Sequence, residues 1–311
     1  MKKNPIGITL IGDPYLLKAS DGKYYLYATT FKRDDPTYCG FHVWVSEDLE
    51  SFSAPSECYQ KSKKSFGYRD FWAPEVVEYN GKYVMHYSAR RQEDDSLRIG
   101  VALSDSPMGP FVDVYEKMPM FDFGYAAIDG HVFIDDDGKK YFYYSRDCSE
   151  NVYNGNLESH IYVAELSDDL LSLKNEGKML ISPVKAYEKA PHTYEDKNVY
   201  WNEGPFVLKH NGVYHLMCSA NFFASKDYCL CAAWSKHPDR GFVKYEKPLL
   251  KEIAGKMSGP GHNSVVKLGE NEYLCVYHVL TDSEHPSHDR QVFMSKMRFV
   301  NDRIVIDEPE L

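Results

Sequence analysis

The stretch YLLKASDGKYYLYAT, residues 15–29, sets an apolar run and an aromatic-rich run on either side of an Asp-Gly turn. Asp-Gly or Asn-Gly between two such runs is the strongest short signal of a β-hairpin, because these residues tolerate positive φ. The same grammar returns in NGKYVMHYSA (80–89), DGKKYFYYSR (137–146), NGVYHLMCSA (211–220) and, without its glycine, NEYLCVYHVL (271–280). Anchored on Gly22, Gly81, Gly138, Gly212 and Asn271, the copies lie 59, 57, 74 and 59 residues apart. A third strand follows each hairpin, as in FHVWVSEDLESF (41–52) and HIYVAELSDDLLSL (160–173). Helix signals are nearly absent. Five units of three or four antiparallel strands predict an all-β fold, a five-bladed β-propeller, as a single domain over residues 1–311. A large β-sandwich also spaces strands by turns, but it gives no reason for the fixed period.

Composition agrees with this reading and removes several functions. The 25 Tyr, 16 Phe and 4 Trp are strand formers by preference. A net charge of -10, with no basic block longer than KSKK, opposes binding to nucleic acid. No run of 18 apolar residues is present, so no helical membrane span is expected. The first residues carry lysines, but their apolar run is short and meets Asp13 and Pro14 without a small-residue cleavage site, unlike a secretory signal. Seven cysteines in odd number, without C-x-x-C spacing, suit reduced thiols, and no N-x-S/T sequon occurs. A cytoplasmic location is the expectation.

Nine residues before each anchor stand Asp13, Trp72, Asp129, Glu203 and His262. The innermost strand of a propeller blade lines the central channel, so equivalent positions near its start form a ring around one mouth. Converging carboxylates raise one another's pKa and are costly unless they do chemistry or hold a cation. Glycoside hydrolysis needs that arrangement, with one carboxyl kept protonated to release the leaving oxygen and another ionised to activate water. Trp72 supplies an aromatic platform for a sugar ring. Taken alone, Asp13 before Pro14 would merely begin a turn. Glu75 falls past the ring and reads as a structural group deeper in blade two, and Asp135, Asp136 and Asp137 read as a solvated turn.

The motifs GDPYLL (12–17), FWAPEV (71–76), IDGHVFIDDDGK (128–139), NEGPFVLKHNG (202–212) and GPGHNSVV (259–266) together resemble glycoside hydrolase family 43, the five-bladed propeller enzymes acting on arabinan and xylan. That resemblance implies Asp13 as general base, Glu203 as general acid and Asp129 as the carboxylate that orients Glu203 and keeps its pKa raised, with inversion at the anomeric carbon. It implies no required cofactor, though family members place a channel histidine, here His262, near a water-coordinated cation, often calcium. It also likens Arg290 to the family's substrate-contacting arginine; a surface salt bridge is the plainer reading. Gly130 departs from the pattern, which often has proline after the middle aspartate.

His278, His285, His288 and Asp289 match no compact zinc spacing, and the expectation is a solvent-exposed polar loop. The extra length between Gly138 and Gly212 supplies aromatics that either wall a one-sugar pocket or serve an interface with a second copy of the chain. The first functional expectation is an exo-acting glycosidase releasing terminal L-arabinofuranosyl units from an oligosaccharide, with β-xylosidase next and endo-arabinanase as the open-cleft variant. A non-catalytic carbohydrate-binding propeller is the alternative from another class, but binding alone does not need a protonated acid opposite a base. A protein-binding scaffold would show apolar channel mouths and no acidic ring.

Overall fold

The structure, a computed structural model, describes residues 3–32, 35 and 37–311, so Met1, Lys2, Arg33, Asp34 and Pro36 of the expected domain lie outside it. Each repeat forms a four-stranded antiparallel blade. Blade one consists of Thr9–Lys18, Tyr24–Thr30, Gly40–Ser46 and Ser56–Gln60, and blade two of Gly67–Tyr79, Lys82–Arg91, Leu97–Ser104 and Val112–Asp113. Blade three comprises Ala127–Ile134, Lys140–Arg146, His160–Glu165 and Lys178–Ile181. Blade four comprises Asn202–His210, Val213–Ala220, Cys229–Ser235 and Val243–Lys244, and blade five Gly261–Lys267, Tyr273–Leu280, Arg290–Val300 and Arg303–Ile306.

Every seam between blades has its own buried apolar cluster. Tyr27, Phe41 and Tyr59 of blade one meet Phe71, Met85 and Tyr87 of blade two. Equivalent clusters fill the seams two–three, three–four and four–five. Leu26 and Trp44 of blade one pack on Leu274 and Met294 of blade five, so the five blades close on themselves. Backbone pairing of Thr9 with Gln291 and Ile11 with Arg290 makes blades five and one a continuous sheet. The hydrophobic surface that a lone blade would leave wet is thereby removed from water around the whole ring.

The extra length in the third repeat is a separate small sheet of Val152–Tyr153, Asn156–Glu158, Thr193–Tyr194 and Lys197–Tyr200. It is anchored to blade four by a buried ion pair between Glu188 and Lys244, and Lys244 Nζ also donates to Asn202 Oδ1 at 2.5 Å. Asn202 immediately precedes Glu203, so the insertion is fastened to the strand that enters the channel.

Each innermost strand carries a bulge, and its first residue has positive φ: Asp13 (53°), Ala73 (47°), Asp129 (58°), Gly204 (58°) and His262 (48°). These are the true equivalents around the ring. Counting nine residues back therefore holds in blades one, three and five but overshoots by one in blades two and four, where it lands on Trp72 and Glu203. The turns cause the difference. Asn80-Gly81 and Asn211-Gly212 are two-residue turns with both φ positive, closing Tyr79 onto Lys82 and His210 onto Val213. Blades one and three use a turn one residue longer, with positive φ only at Gly22 and Gly138.

Candidate active site

One end of the channel opens into a cavity of about 250 Å³ lined by Asp13, Trp72, Asp129, Glu203, His262 and Arg290, all six residues singled out in the sequence. Asp13 is the most heavily held. Its Oδ1 accepts from Arg290 Nη1 at 3.1 Å and its Oδ2 from Thr29 Oγ1 at 2.6 Å. His262 Nδ1 lies 3.3 Å from the same carboxylate. Burial alone would raise the pKa of Asp13, but the Arg290 charge, then the two histidines and the Thr29 bond, outweigh it and hold the carboxyl well below the usual range. Arg290 is buried rather than engaged in a surface salt bridge. Its guanidinium lies where a Cβ on Gly12 would be, 1.9 Å from Nη2, so any other residue before Asp13 would have to displace Arg290 from it.

Glu203 and Asp129 are both pushed the other way. Burial comes first for Glu203, then the charge of Asp129, and together they raise its pKa well above the ordinary glutamate value although Tyr228 donates to Oε1 at 2.7 Å. Asp129 is raised mainly by burial, with His262 and the Gly204 N–H, 3.0 Å from Oδ2, opposing. The same cavity thus pushes one carboxyl toward ionisation and another toward protonation. Gly130, which follows Asp129, has its own cause: a Cβ there would sit 2.2 Å from the ring of Phe142, so a proline of the usual pattern would collide with the core.

Trp72 stands on a small apolar base of Leu97, Ala126 and Ile128 that fixes its ring at the cavity wall. Trp72→Ala is expected to raise KM roughly tenfold with a smaller change in kcat, as lost stacking removes binding common to ground and transition states. Steady-state kinetics on an aryl glycoside checks this.

Several residues went unrecognised in the sequence. Asp147, buried and hydrogen-bonded to Ser149 N at 2.9 Å, is a fourth carboxylate lining the cavity. An aromatic rim of Phe31, His288, Phe223, Phe222 and Trp201 surrounds the mouth, with ring centroids 4.8 to 5.6 Å apart between successive members. Expectation fails for His278: it is fully buried on the second strand of blade five, accepts the Asp13 N–H at 3.1 Å, and stacks on Tyr228. His288 is exposed yet lines the cavity, whereas His285 is exposed as expected. Glu75 is buried and paired with His131 at 2.8 Å, in keeping with its structural reading.

The expected solvated turn is only partly so. Asp136 and Asp137 are largely exposed, but Asp135 accepts from Lys209 and Tyr214 of the next blade. As for calcium, His262 turns Nδ1 toward Asp13, and among the described residues no group of three His, Cys, Asp or Glu side chains is arranged to hold a metal ion. The described residues do not form a protein-built cation cage.

The family model for "Glycosyl hydrolases family 43" matches residues 2–305. The chain belongs to glycosyl hydrolase family 43. This family-43 glycosidase is similar to a "Beta-D-galactofuranosidase xynD" of Aspergillus niger, 27% identical over 88% of the chain and 75% of that protein. It is also similar to a "Xylosidase/arabinosidase" of Bacteroides ovatus, 26% identical over 92% and 91% of the two chains. Among solved structures it superposes on a "thermostable family-43 glycoside hydrolase" with a TM-score of 0.90 and 42% identity, covering 100% of this chain and 97% of that one. The propeller of this family is the fold described above.

Proposed function

We propose that this family-43 enzyme is an exo-acting, inverting glycosidase that removes terminal L-arabinofuranosyl units from arabinan- or arabinoxylan-type oligosaccharides. The observation that carries the reading is one cavity that pushes the pKa values of two facing carboxyls in opposite directions, Asp13 down and Glu203 up. The aromatic rim of Phe31, His288, Phe223, Phe222 and Trp201 at its mouth favours a single end unit over a polymer lying across it. In this reading Asp13, kept ionised, takes a proton from the attacking water, and Glu203, kept protonated, gives its proton to the departing oxygen. Asp129 maintains the high pKa of Glu203, and Arg290 and His262 face the sugar beside the base. The names of the two relatives, one a xylosidase/arabinosidase and one a galactofuranosidase, bring pentosyl and furanosyl end groups within reach of this scaffold. β-Xylosidase activity is the second reading, supported by the former name.

Rates on nitrophenyl α-L-arabinofuranoside, nitrophenyl β-D-xyloside and debranched arabinan test the proposal. Fastest hydrolysis of the arabinofuranoside, with release of monosaccharide only, is expected. A faster xyloside would move the assignment to β-xylosidase, and mixed oligosaccharides from debranched arabinan would make the enzyme endo-acting.

Asp129→Asn should shift the alkaline limb of the kcat/KM profile to lower pH, because removing the negative charge beside Glu203 removes one cause of its raised pKa. A profile that keeps its alkaline limb in place would sever Asp129 from the acid.

A further inference from the structure

The bulges of neighbouring blades are tied to one another by a set of side chains at one repeated position. Directly across from the residue before each bulge, the second strand carries Thr29, Ser88, Ser145, Ser219 and His278. Four of these accept the bulge N–H of the next blade. Thr29 Oγ1 accepts from Ala73 at 2.7 Å, Ser88 Oγ from Asp129 at 2.9 Å and Ser219 Oγ from His262 at 2.7 Å, and His278 Nδ1 accepts from Asp13 at 3.1 Å, closing the circle. The fifth link is diverted: Gly204 N–H goes to Asp129 Oδ2, and Ser145 Oγ is buried with no hydrogen-bond partner among the described residues. A circle of this kind fixes backbone positions, but one member does more. Thr29 is the only one of the four linking side chains, among the described hydrogen bonds, that also donates to a carboxylate of the ring.

We infer that Thr29 is a positioning residue for the base: its hydroxyl accepts the Ala73 N–H of blade two and thereby turns its own proton onto Asp13 Oδ2. A hydroxyl has one proton to give. With one of its two lone pairs held by the backbone N–H beside Trp72 and Asp13 Oδ2 2.6 Å away, the proton goes to Asp13, which leaves Oδ1 to Arg290 and fixes the carboxylate plane relative to the water it activates. The inference rests on Asp13 being the base.

The test is a set of variants assayed on nitrophenyl α-L-arabinofuranoside, or on whichever nitrophenyl glycoside the wild type cleaves fastest. Thr29→Val removes the hydroxyl at nearly constant shape and is expected to lower kcat about 10- to 100-fold, the loss typical of a hydrogen bond to a charged group, with KM nearly unchanged. Thr29→Ser should restore most of the rate. Thr29→Ala is read in the same way if the valine variant does not accumulate as folded protein. In an Asp13→Asn background, Thr29→Val should cost nothing further in kcat, since a residue acting through the base has no route left once the base is gone. A purely structural Thr29 would lower both backgrounds equally, and that outcome overturns the inference while Asp13→Asn alone keeps its large loss of kcat. A near-normal rate for Asp13→Asn would instead remove the base assignment, and the inference with it.

Discussion

Asp13→Asn is expected to lower kcat by at least about 10² to 10⁴ while KM changes little, because the amide cannot accept the proton of the attacking water. The same variant should also melt earlier. The carboxyl of Asp13 is depressed below its reference value of 3.8, so its charge stabilises the fold at neutral pH. That contribution is complete above the unfolded value and is lost as pH falls toward the folded one. Neutralising the residue leaves Arg290 buried without its carboxylate, a loss that thermal unfolding at pH 7 would register. Near-normal turnover in Asp13→Asn would require another residue to activate water.

Glu203→Ala should separate substrates by leaving group. A nitrophenolate departs with little help, so the variant should keep much of its rate on an activated aryl glycoside. On a natural oligosaccharide, whose alkoxide must be protonated as it leaves, the loss should reach about 10² to 10⁴. The raised pKa of Glu203 gives the linkage the opposite sign from that of Asp13: the protonated folded form is favoured, and its stability is lost as pH rises through the folded value. Equal losses on both substrates would refute proton donation by Glu203.

The repeat, the blade count and five of the cavity residues were legible because hairpin turns and inner-strand residues lie close together in sequence, whereas Arg290, at the head of the third strand of blade five, was marked only by the family resemblance. The ring register was legible only to within one residue. A two-residue turn at Asn80-Gly81 and a longer one at Asp21-Gly22 look alike as dipeptides, and they differ in which residues take positive φ. His278 was misread because it stands three residues before the polar segment TDSEHPSHD, although its place in NEYLCVYHVL is that of Thr29, Ser88, Ser145 and Ser219 in the other copies. A polar residue recurring at the end of an otherwise apolar and aromatic strand was the signal that could have found it. The rim aromatics carry no such period. Phe31, Phe222 and Phe223 come from loops that tertiary structure alone gathers, whereas Trp201, at the end of the insertion, matches the expectation that its aromatics wall the pocket.

Ring closure has a consequence for the order of assembly. Blades two to four join neighbours in sequence, but Asp13 meets His278 and Arg290 at separations of 265 and 277 residues. Closing a loop of that length costs about 1.4 kcal/mol more chain entropy than closing one repeat, a modest term that still has to be met by the seam between blades five and one. Asp129 and Glu203 take their hydrogen-bond partners Ser88, Gly204 and Tyr228 from blades two and four. The base acquires Arg290, His262 and His278 only when blade five docks on blade one. A chain halted before that step would hold its acid in place with no organised base, so hydrolytic turnover reports the last seam to form, whereas burial of tyrosines in the earlier seams reports only that the blades have stacked.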